Sequence, residues 1–231
     1  MMKTVFITGT DTDAGKTYVS VLILQMLNAQ GISTAGFKPI SAGCHKNSGE
    51  LRNDDALALQ AAASVKLEYE TINPIAFEPP IAPHIAAKEV GYDLSVAKLD
   101  AHYASVREGS YQFSLIEGAG GWRLPLNFAD EKGNAAYLSD FVVSHSLPTI
   151  LVVGMKLGCL NHALLTYEQM KRDGANIVGW IANRIDEDMI YYDDNLLSLR
   201  AAIRAPLLAE LAYNAQEFTR PHQRLLDLAV R

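Results

Sequence analysis

Short apolar runs alternate with longer segments of helical spacing along the chain. Residues 3–8 are β-rich and largely apolar, the composition of a buried parallel strand. Residues 18–27 are long and apolar enough for a helix, which Gly31 stops, and residues 33–38 read as a second strand ending in the charge of Lys38. A polar loop over 39–51 follows, then a helix opened by Asp54 and Asp55 and running to Ala63. Between 65 and 92 the prolines of Asn73-Pro74, Pro79-Pro80 and Pro83 interrupt any periodicity, leaving only a short strand near 72–77. Beyond them the pattern predicts a helix over 94–107, a strand over 111–116 and a helix over 137–146. A buried strand over 149–153, an amphipathic helix over 161–172 and a strand over 177–182 come next. A helix from about 192 to 203, a strand at Leu207-Leu208 and a last helix near Arg224 complete the chain. This alternation predicts an α/β fold, a mainly parallel sheet with helices on both faces, in a single domain over 1–231.

Composition narrows the classes. A chain of 231 residues suits one substantial α/β domain and is short for two. Its net charge of −6 argues against a nucleic-acid partner, so any phosphate ligand must be met by local lysines and backbone dipoles. Cys44 and Cys159 are the only cysteines and show no metal spacing, as expected of reduced thiols in a cytoplasmic protein. Met1-Met2-Lys3 leads straight into the first strand with no leader-like segment, and no apolar run approaches the roughly 18 residues of a membrane helix.

The chemistry concentrates at strand ends. Gly9-Thr10-Asp11-Thr12-Asp13-Ala14-Gly15-Lys16-Thr17 joins the first strand to the first helix, the arrangement of a phosphate-binding loop. Backbone N–H groups of such a turn converge on an anion, Lys16 reaches the terminal phosphates, and the Thr17 hydroxyl binds Mg²⁺. The pattern G-x-x-x-x-G-K-[ST] asks for glycine at position 10, where this chain has Thr10, one place after Gly9. Lys38 would add a second cation, and Glu117, between an apolar strand and four small residues, would bind Mg²⁺ or orient a nucleophile. Asp54 or Asp55 offers another hard oxygen, although helix capping accounts for at least one of them. Asn183 matches the edge of adenine, while Asn183-Arg184-Ile185-Asp186 is similar to the guanine-reading N-K-x-D of GTPases. The helix start after Gly158 is a second place for an anion, suited to a substrate carboxylate. None of the six histidines has a spacing that marks it as a ligand.

Several separated stretches resemble dethiobiotin synthetase, a P-loop NTPase family. They are 9–17, Gly36-Phe37-Lys38-Pro39, Leu51-Arg52-Asn53-Asp54-Asp55-Ala56, Glu117-Gly118-Ala119-Gly120-Gly121-Trp122, 152–162, and Gly179-Trp180-Ile181-Ala182-Asn183, in the family's order. The resemblance implies carboxylation of 7,8-diaminononanoate by CO₂ or bicarbonate, phosphorylation of the carbamate by ATP, and closure of a cyclic urea. It implies that Asp13, Ala14, Gly15, Lys16 and Thr17 hold the triphosphate, and that Thr17, Asp55 and Glu117 hold Mg²⁺. Gly118, Ala119, Gly120, Asn183, Arg184, Ala212 and Tyr213 would complete the nucleotide site. Lys38 and Lys16 would act in catalysis with Thr12 near the diamine, and Ser41 and Ala42 would face the substrate. Gly158, Cys159, Leu160 and Asn161 would receive its carboxylate, in a homodimer with shared sites. Three departures stand out: Ser41-Ala42 in place of Ala-Ser, Ala212-Tyr213 in place of a Pro-Trp-like pair, and Tyr191 and Tyr192 out of register with a carboxylate-gripping tyrosine. A regulatory switch NTPase of the same fold also fits the loop and the N-R-x-D run. A glutamine-dependent amidoligase does not, since it needs a second domain with a nucleophilic cysteine.

Overall fold

The computed structural model of the chain describes residues 3–229. Strand β1 (Lys3–Gly9) leads through the loop to helix α1 (Lys16–Ala29) and then to β2 (Thr34–Phe37). The next stretch is broken into small pieces: β3 (Ile40–Ser41), β4 (His45–Asn47), β5 (Glu50–Arg52), α2 (Asp54–Ala62), α3 (Tyr69–Ile72), β6 (Ile75–Ala76) and α4 (Pro83–Glu89). Regular alternation resumes with α5 (Val96–Arg107), β7 (Phe113–Glu117), α6 (Leu138–Ser144), β8 (Thr149–Met155) and α7 (Cys159–Arg172). It closes with β9 (Ile177–Arg184), α8 (Tyr192–Ala202), β10 (Leu207–Leu211) and α9 (Gln223–Leu226).

Six strands form one parallel sheet in the order β10-β9-β8-β1-β7-β2, as the alternation predicts. Because neighbouring side chains of a strand point to opposite faces, each apolar strand feeds two cores at once. Phe6, Leu151, Val153, Trp180 and Ala182 enter the core covered by α5, α6, α7 and α8. Val5, Ile7, Ile150, Val152 and Ile181 enter the core covered by α1 and α9. Each fully buried large apolar side chain contributes about 1.5–3 kcal/mol, so this double burial outweighs the weak helix propensities of the covering layers.

The sequence reading is corrected in the stretch from 39 to 92. The expected polar loop over 39–51 contains β3, which pairs with the distant β6, and most of the hairpin β4–β5. The expected strand over 72–77 is reduced to the two residues of β6, preceded by the helical turn α3 that ends at Ile72, and Pro83 starts α4 at its first position. Helix α2 is capped by neither aspartate: Asn53 Oδ1 accepts from the Ala56 amide at 3.2 Å. Strand β9 continues to Arg184, so Asn183 and Arg184 lie in the strand and not beyond it. Helix α7 begins at Cys159 with Gly158 as its N-cap, two residues before the expected start.

Candidate active site

The carboxyl ends of β1, β2 and β7 meet where the sheet order reverses around β1, the place at which open parallel sheets bind ligands. Three groups converge there because three chain segments end there. The loop after β1 carries Lys16 and Thr17 into the first turn of α1, Lys38 follows β2, and Glu117 ends β7. A cavity of about 730 Å³ opens over them. It is lined by Thr12, Asp13, Gly15, Lys16 and Thr17 of the loop, by Lys38, Ser41, Ala42 and Asp55, and by Ala119 and Gly120.

The loop depends on close backbone approach. Gly15 has φ +84°, in the left-handed region, and a Cβ there would stand 2.1 Å from Asn183 Nδ2. Asn183 Nδ2 itself donates to the Ala14 carbonyl at 3.0 Å, which ties β9 to the loop. Gly15→Ala should therefore lower stability by about 1–3 kcal/mol from backbone strain alone and displace Asn183. Thermal unfolding of the purified variant checks this; an unchanged Tm would show that the loop tolerates a side chain there.

Lys38 is the electrostatic centre. Its Nζ donates to Glu117 Oε1 at 2.6 Å, to Asp55 Oδ2 at 3.0 Å and to the Gly118 carbonyl at 3.3 Å. Thr17 Oγ1 donates to the same Glu117 oxygen at 2.7 Å. Burial opposes the charge on Lys38, yet Glu117 and then Asp55 outweigh it and hold the ammonium above the ordinary lysine range. Burial likewise pushes the Asp55 carboxyl up, and the charge and hydrogen bond of Lys38 reverse that, leaving it below the usual carboxylate range. For Lys16 the pull of Glu117, Asp55 and Asp11 falls short of such compensation. Burial, then repulsion from Lys38, lower its pKa to about 8, while Nζ donates to the Asp11 carbonyl at 2.9 Å and the Thr12 carbonyl at 3.0 Å. Glu117 is fully buried, and its Oε2 has no hydrogen-bond partner. A buried carboxylate oxygen left bare costs several kcal/mol unless a cation meets it.

The remaining expected residues separate into groups. The Gly118 amide donates to the Ile7 carbonyl at 2.9 Å, and Trp122, whose Nε1 donates to Asp173 at 2.7 Å, anchors the far side of that glycine turn. Ser41 lines the cavity, but its hydroxyl donates to Asn73 Oδ1 at 2.7 Å and lies 3.1 Å from Cys44 Sγ. Arg184 and Ala212 line a second cavity of about 690 Å³ beside β10, and Tyr213 is 42% exposed. Arg184 donates to the carbonyls of Asp186 and Glu187, with its guanidinium 4.9 Å from the Tyr192 ring centroid. Gly158, Cys159, Leu160 and Asn161 begin α7 outside the lining of the first cavity, with Cys159 buried in the core and Asn161 exposed. Among the described residues no helix is long and apolar enough to cross a membrane.

A buried network that the sequence did not announce lies beneath the site. Asn73 Oδ1 accepts from Ser41 and from Tyr69, and Tyr69 Oη accepts from the Asn53 amide at 2.7 Å. An asparagine just before an acidic helix start is a capping signal that would have found Asn53; the Asn73-Pro74 step reads only as a breaker.

A protein-family model described as an AAA domain matches residues 3–218. The ATP-dependent dethiobiotin synthetase of Pseudoalteromonas translucida is 48% identical over 215 residues, covering 93% of this chain and 92% of that protein. That of Cellvibrio japonicus is 49% identical over 207 residues, covering 89% of this chain and 87% of its own. Among solved structures, MinD of Pyrococcus horikoshii complexed with Mg-ADP has a TM-score of 0.57 at 16% identity, over 93% of this chain and 82% of MinD. The receptor FtsY of Elizabethkingia anophelis in complex with GDP has a TM-score of 0.54 at 10% identity, over all of this chain and 64% of FtsY. At such identities these likenesses carry the fold, a P-loop NTPase type. Identity near one half over nine-tenths of the chain carries more: the protein belongs to the ATP-dependent dethiobiotin synthetase family.

Proposed function

We propose that the protein closes 7,8-diaminononanoate and CO₂ into dethiobiotin at the expense of ATP, a step of biotin biosynthesis. One amine attacks CO₂ and loses a proton, giving a carbamate. A carbamate oxygen then attacks the γ-phosphorus, whose bond to the β–γ bridging oxygen breaks as ADP leaves. The second amine attacks the carbamate carbon, loses a proton, and phosphate departs as the ring closes. The observation that carries this reading is the pair of buried lysines facing one cavity, one in the phosphate-binding loop and one between two carboxylates.

Each step gathers negative charge at one place, and little covalent work falls to the protein. Loop amides and Lys16 hold the β- and γ-phosphates, and Thr12 and Lys38 hold the carbamate beside the phosphorus. Thr17, Asp55 and Glu117 fit a magnesium ion, because Glu117 Oε2 is a buried oxygen without a partner. Among the described residues no three His, Cys, Asp or Glu side chains cluster, and two carboxylates with one hydroxyl suit an ion that keeps water and takes phosphate oxygens. When bound, magnesium supplies charge neutralisation at the β- and γ-oxygens. Asn183 keeps its carboxamide oxygen and one amide hydrogen for an adenine edge, with Arg184 next to it in β9 and Ala212 and Tyr213 following Leu211, its register partner in β10. The helix start at 158–161, lying outside the cavity of its own chain, suits the substrate carboxylate in a second copy, making the working form a homodimer.

Expression in a strain lacking its own dethiobiotin synthetase tests the reading: growth without biotin supports it, and growth only on added dethiobiotin contradicts it. For the metal, Glu117→Gln should raise the Mg²⁺ concentration needed for half-maximal rate by about tenfold or more, through loss of an anionic ligand. An unchanged Mg²⁺ titration would make Glu117 solely a partner of Lys38.

A further inference from the structure

Lys38 carries its charge at the end of a flexible side chain, so something must fix the backbone from which that chain springs. Carboxylates alone do not do this, since Glu117 and Asp55 hold only the tip. The main chain of Lys38 is clamped from both sides by the turn after α3. Its N–H donates to the Ile72 carbonyl at 2.9 Å, and its C=O accepts from Asn73 Nδ2. The same contact continues along the segment: the Ile75 amide donates to the Pro39 carbonyl at 3.2 Å, and the Phe77 amide to the Ser41 carbonyl at 3.0 Å.

Asn73 is buried and uses both ends of its carboxamide. Its oxygen accepts from Ser41 Oγ at 2.7 Å and from Tyr69 Oη at 2.9 Å. Tyr69 passes the connection on, accepting from the amide of Asn53, the residue that caps α2 and so sets the helix that presents Asp55. One side chain is thus tied to Lys38 directly and to the helix of Asp55 through Tyr69 and Asn53. In a low-dielectric interior such a network has little freedom to rearrange, and removing its node leaves the Lys38 carbonyl without this donor and the Ser41 and Tyr69 hydroxyls without this acceptor.

We propose that Asn73 is a positioning residue of the reaction, holding Lys38 and Asp55 in register so that the ammonium meets the carbamate and the transferred phosphoryl group together. This rests on the functional reading given above. It also explains the order Ser41-Ala42: the serine hydroxyl is turned to Asn73 and Cys44 as part of the network, and Ala42 lines the cavity beside it.

The loop that binds phosphate takes no part in this network, so rate and nucleotide binding should separate. Asn73→Ala and the nearly isosteric Asn73→Asp should bind ADP with an affinity within about twofold of wild type. Both should lose about 10- to 100-fold in kcat, the scale of a misplaced catalytic group. Leu99→Ala, on the buried face of α5 and outside the cavity lining, should lose as much or more stability with kcat unchanged. If the Asn73 variants keep wild-type kcat, or if Leu99→Ala loses kcat in proportion to its lost stability as they do, the proposal is overturned. It is also overturned if both Asn73 variants fail to give soluble protein while Leu99→Ala gives it, since the role is then structural. Lys38→Ala is assayed beside them. Retained dethiobiotin formation in that variant would refute the functional reading itself, whereas a dead Lys38→Ala with fully active Asn73 variants would refute this inference alone.

Discussion

Lys38→Ala should lower dethiobiotin formation by about 10²- to 10³-fold, the scale of losing one preorganised charge in a transition state. The ammonium is nearly enclosed and already aligned by Glu117 and Asp55, so it needs no reorganisation as charge develops beside it. The same substitution leaves two carboxylates facing each other without their cation, which destabilises by up to about 3–5 kcal/mol. Lys38→Arg separates the effects. A guanidinium pairs with both carboxylates but spreads its charge over a plane, so stability should recover further than rate. The pH dependence has a definite sign. The depressed Asp55 carboxyl stabilises the fold above its ordinary value of 3.8 and loses that contribution as pH falls through its lowered pKa. The raised Lys38 stabilises below 10.5 and loses its contribution as pH rises past its folded value. The stability gap between wild type and Lys38→Ala should therefore be flat around neutrality and shrink in acid, as measured by denaturant unfolding. A gap that persisted at pH 2 would place its origin in packing.

Lys16→Ala should cost about 10²-fold or more in turnover and weaken nucleotide binding, because the loop loses its only side-chain cation. Here the linkage runs the other way. Burial and Lys38 lower Lys16 to about 8, so its charge is unfavourable to the folded state at neutral pH. That penalty is fully present below pH 8 and fades as pH rises toward 10.5, the ordinary value. The stability of wild type relative to Lys16→Met should accordingly rise between about pH 8 and 10. A relative stability that fell over that interval would contradict the electrostatic picture of the site. The site thus holds one lysine that stabilises the fold and one that burdens it, side by side.

What the sequence made legible followed from local rules. The strand, the loop 9–17 and the helix after it are contiguous, and each strand with both faces buried announces itself by a continuous apolar run. Lys38 and Glu117 were visible as charges at the ends of such runs. The stretch from 39 to 92 was not legible, because its order comes from partners distant in the chain. Strands β3 and β6 have two residues each, and neither carries a periodicity; they exist because Ile75 and Phe77 bond to Pro39 and Ser41. Pro83 does carry a signal, since proline favours the first turn of a helix as well as breaking one, and the sequence alone does not say which of the two it does. Asn73 illustrates the limit most clearly. Its importance is a three-way hydrogen-bond geometry, and nothing in an Asn-Pro step encodes which carbonyl the amide will meet.

Turnover of ATP with each substrate left out in turn is the most direct measurement of what this chain does. With diamine, bicarbonate, Mg²⁺ and ATP all present, ADP and dethiobiotin should appear in equal amounts, because one phosphoryl transfer closes one ring. Omitting either the diamine or bicarbonate should abolish ADP release. ADP released at the same rate without the diamine, and no dethiobiotin by mass spectrometry in the complete mixture, would mark the protein as a nucleotide hydrolase of this fold and contradict its assignment as a synthetase.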